Sequence, residues 1–137
     1  MKGLVVPATG IAYATDLDRG GITKAVGGYP RGRGVTIYFS EQENYDMFVW
    51  SLDEEDRDLS ALPLNTRVTK LLRTPQGETV PFHGTVVFTG ATDDDKARDI
   101  SRFEARAILR DIGEIPTPYD GAYRRVRMER LFLDGEL

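Results

Sequence analysis

The sequence predicts an α+β fold: a mostly antiparallel sheet with short inserted helices and one long helix near residues 93–112. Three observations carry this expectation. Val35-Thr36-Ile37-Tyr38-Phe39 is an unbroken β-branched and aromatic run. Further short apolar runs at 4–6, 47–50 and 85–89 lie between turn-forming residues. Thr92-Asp93-Asp94-Asp95 resembles a helix start, and Gly113 a helix stop.

In chain order, Leu4-Val5-Val6 is an apolar run stopped by Pro7 and reads as a buried first strand. Ile11-Ala12-Tyr13-Ala14-Thr15 alternates and pairs with it as a hairpin across Ala8-Thr9-Gly10. Residues 21–26 give one or two helical turns, with Ile22, Ala25 and Val26 on one face and Gly27-Gly28 ending them. Val26 to Gly34 contains four glycines and a proline, a composition that predicts a loop rather than a helix or strand interior. The strand at 35–39 turns at 41–44 into an antiparallel partner at 47–50. Asp53-Glu54-Glu55-Asp56 reads as a solvated acidic turn.

Asn65 is placed to cap a short helix whose Val68, Leu71 and Leu72 point inward. Thr74-Pro75-Gln76-Gly77 is a turn, and residues 80–89 form a bent strand ending at Gly90. In the long helix, an oxygen side chain caps the free amides and the carboxylates at 93–95 complement the positive end of the dipole. Ile100, Phe103 and Ala107 of that helix are expected against the sheet, with Ile108 and Ile112 widening the apolar arc. Residues 121–133 suit either a helix or an edge strand, and the helix is favoured.

The 137 residues fit one domain, and a net charge of −4 argues against a general nucleic-acid binder. The charge is uneven: residues 1–95 carry net −5, whereas the Arg-rich segment 96–137, expected to be helical, carries net +1. There is no cysteine, which excludes disulfides, thiol catalysis and thiolate metal sites. The apolar start is too short for a secretory signal and no run reaches membrane-spanning length, so a cytoplasmic setting is expected. Trp50, Phe132 and the apolar arc of the late helix would also supply surface for a homo-oligomer.

Four separated segments form a pattern: Met1-Lys2-Gly3-Leu4-Val5, Val26-Gly27-Gly28-Tyr29, Leu62-Pro63-Leu64-Asn65, and Gly84-Thr85-Val86-Val87-Phe88-Thr89-Gly90. In order and spacing they resemble an uncharacterised domain family of phages and other mobile elements, over residues 1–95. The resemblance implies a small accessory protein of such an element and supplies no activity. Pro30-Arg31-Gly32-Arg33 and the stretch from Asn44 to Asp58 depart from the family pattern.

Tyr29, Arg31 and Arg33 belong to the glycine-rich stretch, where successive amides would make a nest for an anion and the guanidiniums would add charge-assisted contacts. Asn65 and Arg67 would complete that site if the two loops meet. The plainer reading is a solvated turn, a helix cap and a surface charge. Neither a P-loop nor a dinucleotide fingerprint is present. His83 has no sequence partner for acid–base work, so a local hydrogen bond is expected for it. The carboxylates at 93–95 lack EF-hand spacing, so no metal ligand, cofactor or catalytic residue is assigned.

Arg98, Arg102, Arg106 and Arg110 recur every four residues and would form a ridge along the late helix. Arg124, Arg125, Arg127 and Arg130 add a second basic group. A solvated face is the plain reading of both. The expected function is a non-enzymatic accessory protein, acting in counter-defence, that binds a host protein or sequesters a small anionic, nucleotide-like ligand. Nucleic-acid binding through the C-terminal arginines is the alternative, and a metal-dependent hydrolase ranks third.

Overall fold

The computed structural model describes residues 1–17, 20–39, 42–53, 58–74, 76–114 and 127–131. The first apolar run is strand β1 (Lys2–Val6), and the alternating segment after it is β2 (Tyr13–Asp16). They pair antiparallel with Lys2 opposite Asp16 and Val5 opposite Tyr13. Helix α1 (Gly21–Val26) follows and ends where Gly27 adopts a φ of 87°, a left-handed conformation that a Cβ would strain.

Strand β3 (Pro30–Tyr38) pairs along its whole length with β4 (Asn44–Leu52). This corrects the predicted loop over 26–34: only Gly27, Gly28 and Tyr29 lie outside the helix and the strand. The glycines are tolerated because of what stands opposite them. Gly32 faces Trp50 and Gly34 faces Phe48 across the ladder, and both rings are buried, only 5.6 Å apart between centroids. Both glycines are themselves buried, on the face that carries these two rings. Pro30 sits at the first position of the strand, the place where a missing amide is tolerated.

Beyond the short 3-10 turn at Leu59–Ala61, helix α2 (Thr66–Leu71) is capped by Asn65, whose side chain accepts from the Val68 amide. Strand β5 (Val86–Ala91) lies between β1 and β4. Next comes a tight turn rather than a helix. The Thr92 amide donates to the Lys96 carbonyl, Thr92 Oγ1 to Asp94, and Asp95 has a φ of 61°. The turn folds the two-residue strand β6 (Ala97–Arg98) back onto β5.

Helix α3 (Arg102–Asp111) therefore starts nine residues later than Asp93, capped by Ser101. Ser101 and Glu104 exchange hydrogen bonds in a reciprocal capping box. The late start also corrects the expected apolar face. Ile100 is in the extended approach, donating its amide to the Lys2 carbonyl. The buried arc of α3 is Glu104, Ala105, Ala107 and Ile108, and Phe103 is 67% exposed.

Arg127–Leu131 forms β7, antiparallel to β3, which corrects the preference for a helix there. The seven strands make one sheet, ordered β2-β1-β5-β4-β3-β7 with β6 on the edge of β5 beyond β1. One face carries α1, whose Ile22 and Val26 pack with Val5, Phe48, Trp50 and Val87. The other carries α2 and α3, whose Val68, Leu71, Ala107 and Ile108 pack with Leu4, Ile37, Met47 and Phe88. Trp50 is 1% exposed and donates its indole N–H to Thr89, so it belongs to the core rather than to an oligomer surface. Phe132, Arg124, Arg125 and the acidic turn at 54–56 lie outside the described residues.

Candidate functional site

The residues expected around the glycine-rich stretch serve several separate purposes. Asn65 is fully buried, and both ends of its amide are engaged. Nδ2 donates to the carbonyls of Val6 (2.9 Å) and Gly84 (3.0 Å), while Oδ1 caps α2. Arg67 donates to the Pro7 carbonyl at 2.7 Å and to the Glu114 carboxylate. Consecutive carbonyls at the end of β1 are thus held by two side chains of the α2 start. Glu114 also accepts from the Ala12 amide, which fastens the β1–β2 connection to the end of α3.

Arg33 lies over the Phe82 ring, 5.8 Å from its centroid, a cation–π contact on the α2 face of the sheet. Alternation along β3 puts Arg31 on the same face. Tyr29 is 65% exposed, and its carbonyl accepts from the Asp53 amide. His83 makes the expected local contact, with Nδ1 3.1 Å from the Leu62 carbonyl.

The arginine ridge is divided in two. Arg98 stands on β6, not on the helix, and forms a two-pronged pair with Glu104 at 2.9 and 2.8 Å. Its Nε donates to the Ala91 carbonyl. Burial pushes the Glu104 carboxyl up. The opposing hydrogen bonds from Arg98 and the Ser101 amide, with the Arg98 charge, outweigh it and hold the group below its ordinary value. Arg110 donates to Glu43 at 2.8 Å, and the Tyr45 hydroxyl donates to the same carboxylate. Burial first, and the Glu43 charge second, push the Tyr45 phenol up.

Arg102 and Arg106 differ from these. Both are exposed, and among the described residues no carboxylate pairs with either. One turn apart on α3, they line a groove of about 540 Å³ between the helix and the edge strand β2. Lys2 lines it too, and Ala14, Ile100, Ala105 and Leu109 give it apolar walls. Asp16, the one carboxylate among the lining residues, is held by the Met1 amino group at 3.1 Å.

Sequence reasoning grouped Arg102 and Arg106 with Arg98 but missed Lys2, Ala14 and the groove itself. The available signal was Ser101-Arg102-Phe103-Glu104, a capping-box pattern that fixes the helix start and hence which arginines leave the ridge. Among the described residues no group of three or more His, Asp or Glu side chains is placed to hold a metal ion. None of their helices is long and apolar enough to cross a membrane. No protein-family model, curated protein or solved structure matches this chain.

Proposed function

We propose that this chain is a non-catalytic binding protein that sequesters a small anionic ligand in the groove between α3 and β2. One observation carries the reading. Lys2, Arg102 and Arg106 all line a cavity of about 540 Å³, whereas Arg67, Arg98 and Arg110 are already paired with Glu114, Glu104 and Glu43. A ligand site is ordinarily a concave, mostly apolar space with a few convergent polar groups, and this groove has that make-up. Cations already neutralised by the fold contribute little to a new anion, so those without a carboxylate partner among the described residues set the place.

The pattern resemblance over residues 1–95 supports an accessory role in a phage or mobile element, acting in the host cytoplasm as a counter-defence protein. Nucleic-acid binding is the weaker alternative, because its ridge loses Arg98 and Arg110 to ion pairs. Thermal-shift measurements against nucleotides, cyclic dinucleotides, inorganic phosphate and organic carboxylates test the proposal. A shift that disappears in the Arg102→Ala/Arg106→Ala variant is expected. No shift with any anion removes the ligand and leaves a host protein as the partner.

A further inference from the structure

We infer that the groove takes an anion with an aliphatic body, of the acyl-carboxylate class, in preference to a nucleotide; this rests on the reading of the groove as an anion site. Its walls are hydrocarbon from Ala14, Ile100, Ala105 and Leu109, and among the described residues no aromatic side chain lines it. Nucleobases are commonly held by stacking on aromatic rings and read through hydrogen bonds to their edges. The groove is poor in both. Its uncharged hydroxyls are Thr15 and Ser101, and Ser101 Oγ already accepts from the Glu104 amide.

An alkyl chain requires neither rings nor edge-reading groups. It needs methyl and methylene walls along its length and a cation at one end. Arg102 and Arg106 supply planar donors suited to one carboxylate, and Lys2 adds a third positive charge. A triphosphate would bring more negative charge than these three cations balance, next to the Asp16 carboxylate.

Calorimetric titration of the full chain with hexanoate, octanoate and decanoate, each below its micelle concentration, tests this against AMP and ATP. Affinity is expected to rise with chain length, by up to about fourfold per added methylene, the value for complete burial. Arg102→Ala/Arg106→Ala should weaken decanoate about tenfold or more, since it removes the charge-assisted contacts. Ala14→Gln narrows the apolar wall without changing a charge, and should weaken it as well.

Arg102, Arg106 and Ala14 are all exposed, so circular dichroism should show folded variants. Nucleotide binding that needs Arg102 and Arg106, without decanoate binding, overturns the acyl assignment and leaves the anion site standing. Decanoate binding unaffected by both variants also overturns it. Silence from every probe overturns the inference together with the small-ligand reading beneath it.

Discussion

Arg98 and Glu104 form a two-pronged ion pair, Nη1 to Oε1 at 2.9 Å and Nη2 to Oε2 at 2.8 Å, that ties β6 to the first turn of α3. Glu104 is 2% exposed and Arg98 40%. Removing the arginine would leave a carboxylate buried without its cation, the costly way to break such a pair. Arg98→Ala is therefore expected to lose about 3 kcal/mol in urea unfolding, the low end for a buried pair because Arg98 itself is partly solvated.

The same pair sets an acid limit. The folded-state value of Glu104 lies below its ordinary 4.5. A carboxyl lowered by folding contributes stability in full above its unfolded value, and that contribution disappears as pH falls through the folded value. The stability gap between the parent chain and Arg98→Ala should be constant near neutrality and shrink below about pH 4.5. Unfolding midpoints across pH 3–7 measure it. A gap that widens on acidification would contradict the pairing.

Gly90 leaves the space that Arg98 fills. A Cβ at Gly90 would overlap the Arg98 guanidinium and come within 2.7 Å of the Asp99 carbonyl. Gly90→Ala should cost about 1–3 kcal/mol, the range for forcing atoms into a filled site. Combined with Arg98→Ala the cost should be less than additive, because part of the clash is then gone. Thermal melts of the two single variants and the double variant test the coupling.

Asn65 holds the fold together beyond its cap, through the Val6 and Gly84 carbonyls. Asn65→Ala removes a cap contributing about 1 kcal/mol and leaves two buried carbonyls short of a donor, at about 1–3 kcal/mol more. Asn65→Asp keeps the shape and the cap, but places carboxylate oxygen against the Val6 and Gly84 carbonyls. Both variants should unfold at lower urea, and Asn65→Asp should be no rescue.

Arg102→Ala and Arg106→Ala should behave in the opposite way. Among the described residues neither arginine has an ion-pair partner to lose, so each should leave the melting temperature nearly unchanged, within about 0.5 kcal/mol. Their effect should be confined to anion binding. A large loss of stability in either would show that the groove arginines hold the fold rather than a ligand.

Much of the sheet was legible because it is written locally. The β1–β2 hairpin, the β3–β4 pairing and the Asn65 cap all follow from alternation, turn residues or one capping side chain. What was misread depends on partners far away in sequence. The strand character of Arg31-Gly32-Arg33-Gly34 is set by Trp50 and Phe48 opposite the glycines. The carboxylates after Thr92 fit a hairpin turn as well as a helix start. Ser101 and Glu104 decide between them, one side chain capping the helix and the other reaching back to pair with Arg98. The groove was illegible for a similar reason: Lys2 and Arg106 meet only because β1 lies beside the α3 approach.

Strand β1 is made well before the partners that secure it. Its register partners on β5 are residues 86–88. The Lys2 amide waits for Asp99, 97 residues on, and the following Ala12 amide for Glu114, 102 residues on. On a ribosome adding about 5–20 residues per second, β1 and β2 would wait roughly 5–20 s before those two carboxylates exist. Until Asn65 and then β5 are made, Leu4, Val5 and Val6 have only β2 to pair with, and a two-stranded hairpin is marginal alone. The clamps by Asn65, Arg67 and Glu114 therefore close only once residue 114 has been made, so the β1 edge is held by contacts that span nearly all of the described chain.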